Sequence, residues 1–268
     1  MVYGITNIQL KIFFMIKIFC LYFQALDEVY KKPMYSTDYV EKLYNGFKRH
    51  CKTDFEFICY SDTPVKADKV IPLPKDSNIK RHWHKLKFFD KEFTGEGDII
   101  VLDIDQVIVN DITEMVNYPV SDNELVSYEK WWTTNKENIP INGGWYKFKA
   151  GSLKFVHDKY MKNPEKWQTH YFNNRTVHYK YYGEQNFVYD TCVENGTKVT
   201  KMPGKWISKY DKDPDKNLRY NKMYMDSFDE PYMILGEGVN ENIKIVHFAN
   251  VWNNIHDNEE SWVKDNWQ

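Results

Sequence analysis

The sequence predicts an α/β fold with a mainly parallel central sheet flanked by helices and an irregular C-terminal part. Three observations carry this. Short runs of aliphatic and aromatic residues alternate with helix-period segments through residues 16–118, the pattern of βαβ units. One of these runs, Ile99-Ile100-Val101-Leu102, is unbroken by polar residues and reads as a buried strand. The chain also has 268 residues and 42% hydrophobic content, which supports a sizeable core in one large domain.

The elements follow in order. A first strand is expected over 16–23, and Lys31-Lys32-Pro33 marks the loop after it. Ser36 or Thr37 caps a helix whose Tyr39, Val40, Leu43 and Phe47 share one face. Residues 55–60 form a second strand, stopped by the turn sequence Ser61-Asp62-Thr63-Pro64. Residues 70–73 form a short third strand. Trp83, Leu86, Phe89 and Phe93 are spaced for one face of a helix over 82–93, which Gly95-Glu96-Gly97 breaks. The strand over 99–102 follows, and Asp111 caps a short helix over 111–117. The second half is less regular. A strand is expected over 145–149, helices over 152–161 and 184–192, and a late strand over 243–248. Residues 203–233 are polar and read as a loop or small subdomain. Asp257 is the expected cap of a final amphipathic helix carrying Trp262, Val263 and Trp267.

Composition narrows the function. The net charge of −2 leaves no electrostatic footprint for nucleic acid. Aromatic content is 17%, with 20 Tyr and 9 Trp, and flat aromatic faces suit sugar rings and bases as well as ordinary cores. Lys greatly outnumbers Arg, as expected of an AT-rich genome. Cys20, Cys51, Cys59 and Cys192 have no metal-like spacing and no disulfide framework, so a reducing, cytoplasmic setting is expected. Cys20 and Cys59 fall in predicted strands and read as buried thiols. The apolar stretch over 12–23 is interrupted by Lys17, is too short to cross a membrane, and lacks the small-residue cleavage site of a signal peptide. No transmembrane segment is therefore expected. Met15 is an alternative start, and residues 1–14 are set apart as an N-terminal extension.

The chemistry concentrates where the buried strand ends. Asp103 and Asp105 interrupt the run Val101-Leu102-Asp103-Ile104-Asp105-Gln106-Val107-Ile108-Val109. An unpartnered buried carboxylate is costly, and a period of two places both acids on one side of an extended chain. Such a pair is a hard-oxygen site for Mg²⁺ or Mn²⁺. The spacing alone is uninformative, because the chain has 21 Asp and repeats it twice in Asp211-Lys212-Asp213-Pro214-Asp215, a Lys- and Pro-rich stretch that reads as a solvated turn. The context decides: ligands of parallel sheets bind at the carboxyl ends of strands.

Several segments together resemble the GT-A fold glycosyltransferases, closest to the family 8 type with its DxD motif. The matching pieces, in order, are the first strand over 16–23; His84-Lys85-Leu86; Ile100-Val101-Leu102-Asp103-Ile104-Asp105; Ile141-Asn142-Gly143-Gly144; Gly183-Glu184-Gln185-Asn186; and Val246-His247-Phe248. They span roughly residues 16–252. The resemblance implies one GT-A domain over 15–268, with a nucleotide-binding half over 15–118 and an acceptor-side half over 119–268. It implies that Asp103, Asp105 and His247 hold Mn²⁺ or Mg²⁺, with Asp103 also touching the donor ribose. Lys85 becomes a phosphate or donor contact that neutralises charge as the sugar bond breaks. Asn142, Gly143 and Gly144 let backbone approach the donor sugar, and Glu184 and Gln185 form the polar pair beside the anomeric carbon. Glu184 stands where Asp is commoner in the family. The family's end motif runs from the histidine to Gly and then Lys-Pro-Trp, whereas this chain reads His247-Phe248-Ala249-Asn250-Val251-Trp252.

The expected activity is metal-dependent transfer of a sugar from a nucleotide-sugar donor, with UDP favoured by the resemblance, to an acceptor hydroxyl on an unspecified glycan, lipid-linked or protein acceptor, with retention of configuration. Two alternatives stay open. A nucleotidyltransferase making nucleotide sugars would use the same sheet and metal, though Phe23-Gln24-Ala25-Leu26-Asp27 is not the Gly-rich basic loop it would normally carry. A non-catalytic sugar- or nucleotide-binding protein with a degenerate transferase fold is the other. Trp131 and Trp132 read equally as a platform for an acceptor sugar and as packing for a lid.

Overall fold

The computed structural model describes residues 15–24, 26, 31–74, 77–133, 139–232, 238–248 and 255–268. The first half contains β1 (Ile16–Tyr22), α1 (Asp38–His50), β2 (Phe55–Ser61), β3 (Lys69–Pro72), a 3-10 segment Arg81–Phe89, α2 (Lys91–Thr94) and β4 (Asp98–Leu102). The second contains β5 (Gln106–Ile108), α3 (Thr113–Val116), β6 (Glu124–Tyr128), β7 (Trp145–Lys149), α4 (Lys154–Met161), α5 (Pro164–Asn173), α6 (Glu184–Glu194), β8 (Lys198–Met202), β9 (Ile207–Lys209), α7 (Pro214–Phe228), β10 (Ile245–His247) and α8 (Ser261–Asn266).

Seven strands form one sheet in the order β3-β2-β1-β4-β7-β6-β8. β1 pairs in parallel with β2 and β4, β2 with β3, and β6 with β8, while β7 runs antiparallel to β4 and β6. The sheet is thus mixed α/β and mainly parallel. Both faces of its centre are buried. Ile18, Cys20 and Tyr22 of β1, with Ile100 and Leu102 of β4, pack against Tyr39, Val40, Leu43 and Phe47 of α1. Phe19 and Leu21, with Ile99 and Val101, pack against Trp83, Leu86 and Phe88 of the 3-10 segment and Phe187 of α6. Because both parities of residue are covered, β4 is apolar without alternation. All four cysteines are free thiols, and Cys20 and Cys59 are buried beside each other on β1 and β2.

A second, three-stranded sheet, β5-β10-β9, decides where the site forms. β5 starts immediately after Asp105. β10 joins it antiparallel, with His247 opposite Gln106, and pairs in parallel with β9, with His247 opposite Lys209. The Phe248 N–H closes the register by donating to the Asp105 carbonyl at 2.9 Å. A histidine distant in sequence is thereby brought to the acidic pair.

Several expectations change. The helix over 82–93 is two pieces, Arg81–Phe89 in 3-10 form and α2, because the Asp90 side chain accepts the Glu92 N–H at 3.2 Å and caps a new helix between them. Of the two readings of the polar stretch over 203–233, the loop fails, because its described residues hold a 3-10 turn Gly204–Trp206, β9 and α7. The Asp211–Asp215 stretch is a largely exposed bend, as expected, but it leads into a helix. Asp213 caps α7 by accepting the Asp215 N–H at 3.1 Å, Pro214 takes the first helical position, and Asp211 is buried. At the C-terminus the cap position of α8 is Glu260, and Asp257 ends a separate 3-10 turn Ile255–Asp257. β6, β8 and α5 were not expected. β6 carries Glu124, whose buried carboxylate is satisfied locally by the Ser121 N–H at 2.8 Å and by Lys198 at 2.7 Å, a partner that only the folded chain supplies. Among the described residues no helix is long and apolar enough to cross a membrane. Residues 1–14 lie outside the described residues.

Candidate active site

A cleft of ≈ 240 Å³ opens at the carboxyl ends of β1 and β4, and its lining includes Lys85, Asp103, Asp105, Asn142, Gly143, Glu184, Gln185 and His247. The structure therefore brings together every site residue expected from the sequence except Gly144, which lies directly behind this wall.

The two acids do not share one side of a strand. β4 ends at Leu102, and the chain turns through Asp103–Asp105 before β5. Asp103 continues the parity of Ile99 and Val101, towards the layer that holds the 3-10 segment. There it forms an ion pair with Lys85, which is buried and also donates to the Gly143 carbonyl at 3.1 Å. Lys85 is not a surface lysine. Burial alone lowers its pKa, but Asp103 and then Glu184 more than offset this, so it stays charged above its ordinary value. Asp105 points elsewhere: its Oδ2 accepts the Tyr35 hydroxyl at 2.9 Å, and its Oδ1 lies 3.8 Å from His247 Nδ1.

His247 is 3% exposed. Burial, then the charge of Lys209, holds its pKa well below the ordinary value, with Asp103 acting the other way. The ring is neutral at physiological pH, and its Nδ1 has no hydrogen-bond partner. Lys209, opposite His247 on β9 and buried, is drawn down to about 8 by burial against the pull of Asp105 and Asp211.

Asn142 closes the turn before β7. Its Oδ1 accepts the Gly144 N–H at 2.6 Å and the Tyr128 hydroxyl at 3.1 Å. Gly144 has no room for a side chain: a Cβ there would lie 2.8 Å from Asn142 Oδ1 and 2.9 Å from Gln106 Nε2. Gly143 presses equally on Gln185, whose Oε1 accepts the Gly143 N–H at 3.0 Å. The glycines thus serve close packing of the cleft wall itself, and Gln185 is the strut that holds the turn.

Glu184, the first residue of α6, is buried rather than solvent-exposed. Its Oε1 makes no hydrogen bond. Burial pushes its carboxyl up to about 7, with Lys85 opposing and Asp103 adding to the rise. A buried carboxyl with an unpartnered oxygen facing a cleft is the kind of group that active sites maintain.

The donor set suits a hard divalent cation in part. Asp105 and the neutral, unpartnered His247 face each other across a gap that an ion can bridge, while Asp103 stands on Lys85. Consistent with that, no group of three or more His, Cys, Asp or Glu side chains is arranged as a ready cation cage among the described residues. Trp131 and Trp132 meet edge to face, with ring centroids 5.4 Å apart, but otherwise pack on different neighbours. Trp131 donates to the Ile207 carbonyl at 2.8 Å and packs on Tyr224, Phe228 and Tyr232, whereas the Trp132 ring lies 6.3 Å from His247. Sequence reasoning missed Tyr35, Gln106, Tyr128 and Lys209. The first three lack any motif signal, and Lys209 lies in a polar stretch that reads as a loop or small subdomain. Residues 249–252 of the end motif lie outside the described residues.

No family model matches this chain, and no curated protein does. Solved structures do. The glycosyltransferase GlyE of Streptococcus pneumoniae TIGR4 aligns over 87% of this chain and 55% of its own, with a TM-score of 0.55 and 11% identity. Its apo form aligns over 88% and 54%, with a TM-score of 0.55 and 13% identity. An active-site Gln-to-Glu mutant of LgtC aligns over 87% of both chains, with a TM-score of 0.50 and 12% identity. The chain spans about half the length of GlyE and most of LgtC. Its strand order, the cleft at the carboxyl edge and these structural matches agree: the chain has the GT-A glycosyltransferase fold that its sequence segments resemble.

Proposed function

We propose that this cleft transfers a glycosyl group from a nucleotide-sugar donor, a UDP-sugar, to an acceptor hydroxyl with retention of configuration and with the help of a divalent cation. The observation that carries the reading is the convergence, in one cleft of a glycosyltransferase fold, of the Lys85–Asp103 pair, the Asp105–His247 pair and the buried acid Glu184.

Asp105 and His247 would hold Mn²⁺ or Mg²⁺, with Asp103 joining once Lys85 is drawn away. A bound cation of this kind supplies neutralisation of the negative charge that grows on a departing diphosphate. Lys85, drawn from Asp103 toward the diphosphate, would supply a second positive charge in the same cleft. The Asn142–Gly144 turn, braced by Gln185, lets the donor sugar approach main chain closely. Glu184 faces the reacting sugar. Positive charge developing at the anomeric carbon favours its ionised form, and the ionised carboxylate in turn stabilises that charge. The acceptor hydroxyl attacks from the same open side of the cleft.

The test is a panel of nucleotide sugars with and without Mn²⁺. One of them should raise the melting temperature only with the cation present, by binding the folded state, and should then be hydrolysed or transferred with release of the nucleoside diphosphate. Release or consumption of pyrophosphate indicates a nucleotidyltransferase instead, and Mn²⁺-dependent binding without turnover indicates a non-catalytic binding protein.

A further inference from the structure

We propose that Tyr35 is a positioning residue that orients Asp105 for the cation, a role that rests on the divalent-cation reading above. The argument is geometric. The Tyr35 hydroxyl donates to Asp105 Oδ2 at 2.9 Å, and the other oxygen, Oδ1, is the one that faces His247 Nδ1 at 3.8 Å. By occupying one oxygen, Tyr35 fixes the rotation of the carboxylate and leaves a single oxygen aimed at the histidine. Groups that hydrogen-bond a ligating carboxylate in this way set its orientation and its affinity for metal.

Tyr35 is itself held. Its backbone carbonyl accepts the Tyr22 hydroxyl at 2.9 Å, and Tyr22 in turn accepts from Gln24 Nε2 at 2.9 Å. The Gln24 N–H donates to the Asp62 carboxylate at 3.0 Å. Its ring lies 4.8 Å from that of Tyr39, whose hydroxyl accepts the Ile255 N–H at 2.9 Å. A string of hydrogen bonds therefore runs from the end of β2, across the end of β1, to Asp105. It ties Tyr35, just before α1, to the acidic turn.

The experiment is a Mn²⁺ titration of the whole chain followed by electron paramagnetic resonance, comparing the wild type with Tyr35→Phe, Tyr22→Phe and Asp105→Ala. Tyr35→Phe keeps the ring and its stack on Tyr39 and removes only the hydroxyl. It should weaken Mn²⁺ roughly 10- to 100-fold and alter the bound-Mn²⁺ spectrum, while its melting temperature in EDTA stays at the wild-type value. Tyr22→Phe should weaken Mn²⁺ in the same direction by less, and Asp105→Ala should abolish binding. Wild-type Mn²⁺ affinity in Tyr35→Phe, alongside loss in Asp105→Ala, overturns the positioning role and leaves the cation reading standing. So does a weakening fully explained by a lower melting temperature in EDTA. A wild-type chain that does not bind Mn²⁺ overturns both.

Discussion

Replacing Glu184 with Gln should stabilise this protein at alkaline pH and not at acid pH. Burial raises the Glu184 carboxyl from an ordinary value of 4.5 to about 7. Below pH 4.5 the group is protonated in both folded and unfolded chains, and the substitution changes little. Between pH 4.5 and 7 the unfolded chain releases its proton while the folded chain keeps it, so wild-type stability falls as pH rises. Above pH 7 the folded chain must carry a buried charge whose Oε1 has no hydrogen-bond partner, and the deficit is complete. The displacement corresponds to about 3 kcal/mol. Gln is nearly the same shape and has no charge to ionise, so Glu184→Gln should recover that amount above pH 8. For a chain of this length that is a rise of roughly 6–12 °C in melting temperature. The assay is thermal unfolding of both proteins from pH 4.5 to 8.5 in EDTA, read as the difference between them. A difference that does not change with pH refutes the reasoning. A variant that is less stable at pH 8 also refutes it, because it would mean that the ionised carboxylate is an integral partner of Lys85. Sugar transfer should fall in the same variant, since stability surrendered at one buried acid is expected where that acid serves chemistry.

Three further outcomes follow from the geometry. Asp105→Ala should abolish donor turnover at every Mn²⁺ concentration, and full activity in a glycosyl-transfer assay would refute the cation assignment. Lys85→Met should release Asp103 from its ion pair, so that Mn²⁺ binds more tightly in the absence of nucleotide while donor turnover falls by about 100-fold; a calorimetric titration and a turnover assay on the same sample check both signs. Gly144→Ala forces a Cβ to within 2.8 Å of Asn142 Oδ1 and 2.9 Å of Gln106 Nε2, and should lower unfolding stability by about 1–3 kcal/mol, measured by denaturant titration.

The sequence by itself determined the strands that are buried on both faces. β1, β2 and β4 are short, apolar and bounded by turn residues, and their burial needs no particular partner, only removal from water. It also placed Asp103 and Asp105 at a strand end, Asn142–Gly144 before β7 and Glu184–Gln185 at the start of α6, because the resemblance rests on residues in a fixed order. It did not reveal β6, β8, α5, β9 or α7. Those elements are polar for their burial, and their Glu124, Lys209 and Asp213 make sense only beside partners such as Lys198, Asp105 and the Asp215 N–H, which for the first two lie far along the chain. What each site residue touches was likewise decided by tertiary structure. The sequence placed both acids on one side, but β4 stops at Leu102, and the turn after it sends Asp103 to Lys85 and Asp105 to Tyr35 and His247. The sequence read Glu184 as polar; only burial made it an acid that holds its proton near pH 7. Periodicity records which residues leave water, and that is a local property. A pKa or a carboxylate's orientation is set by which charges and donors arrive from elsewhere, and only the folded chain brings them together.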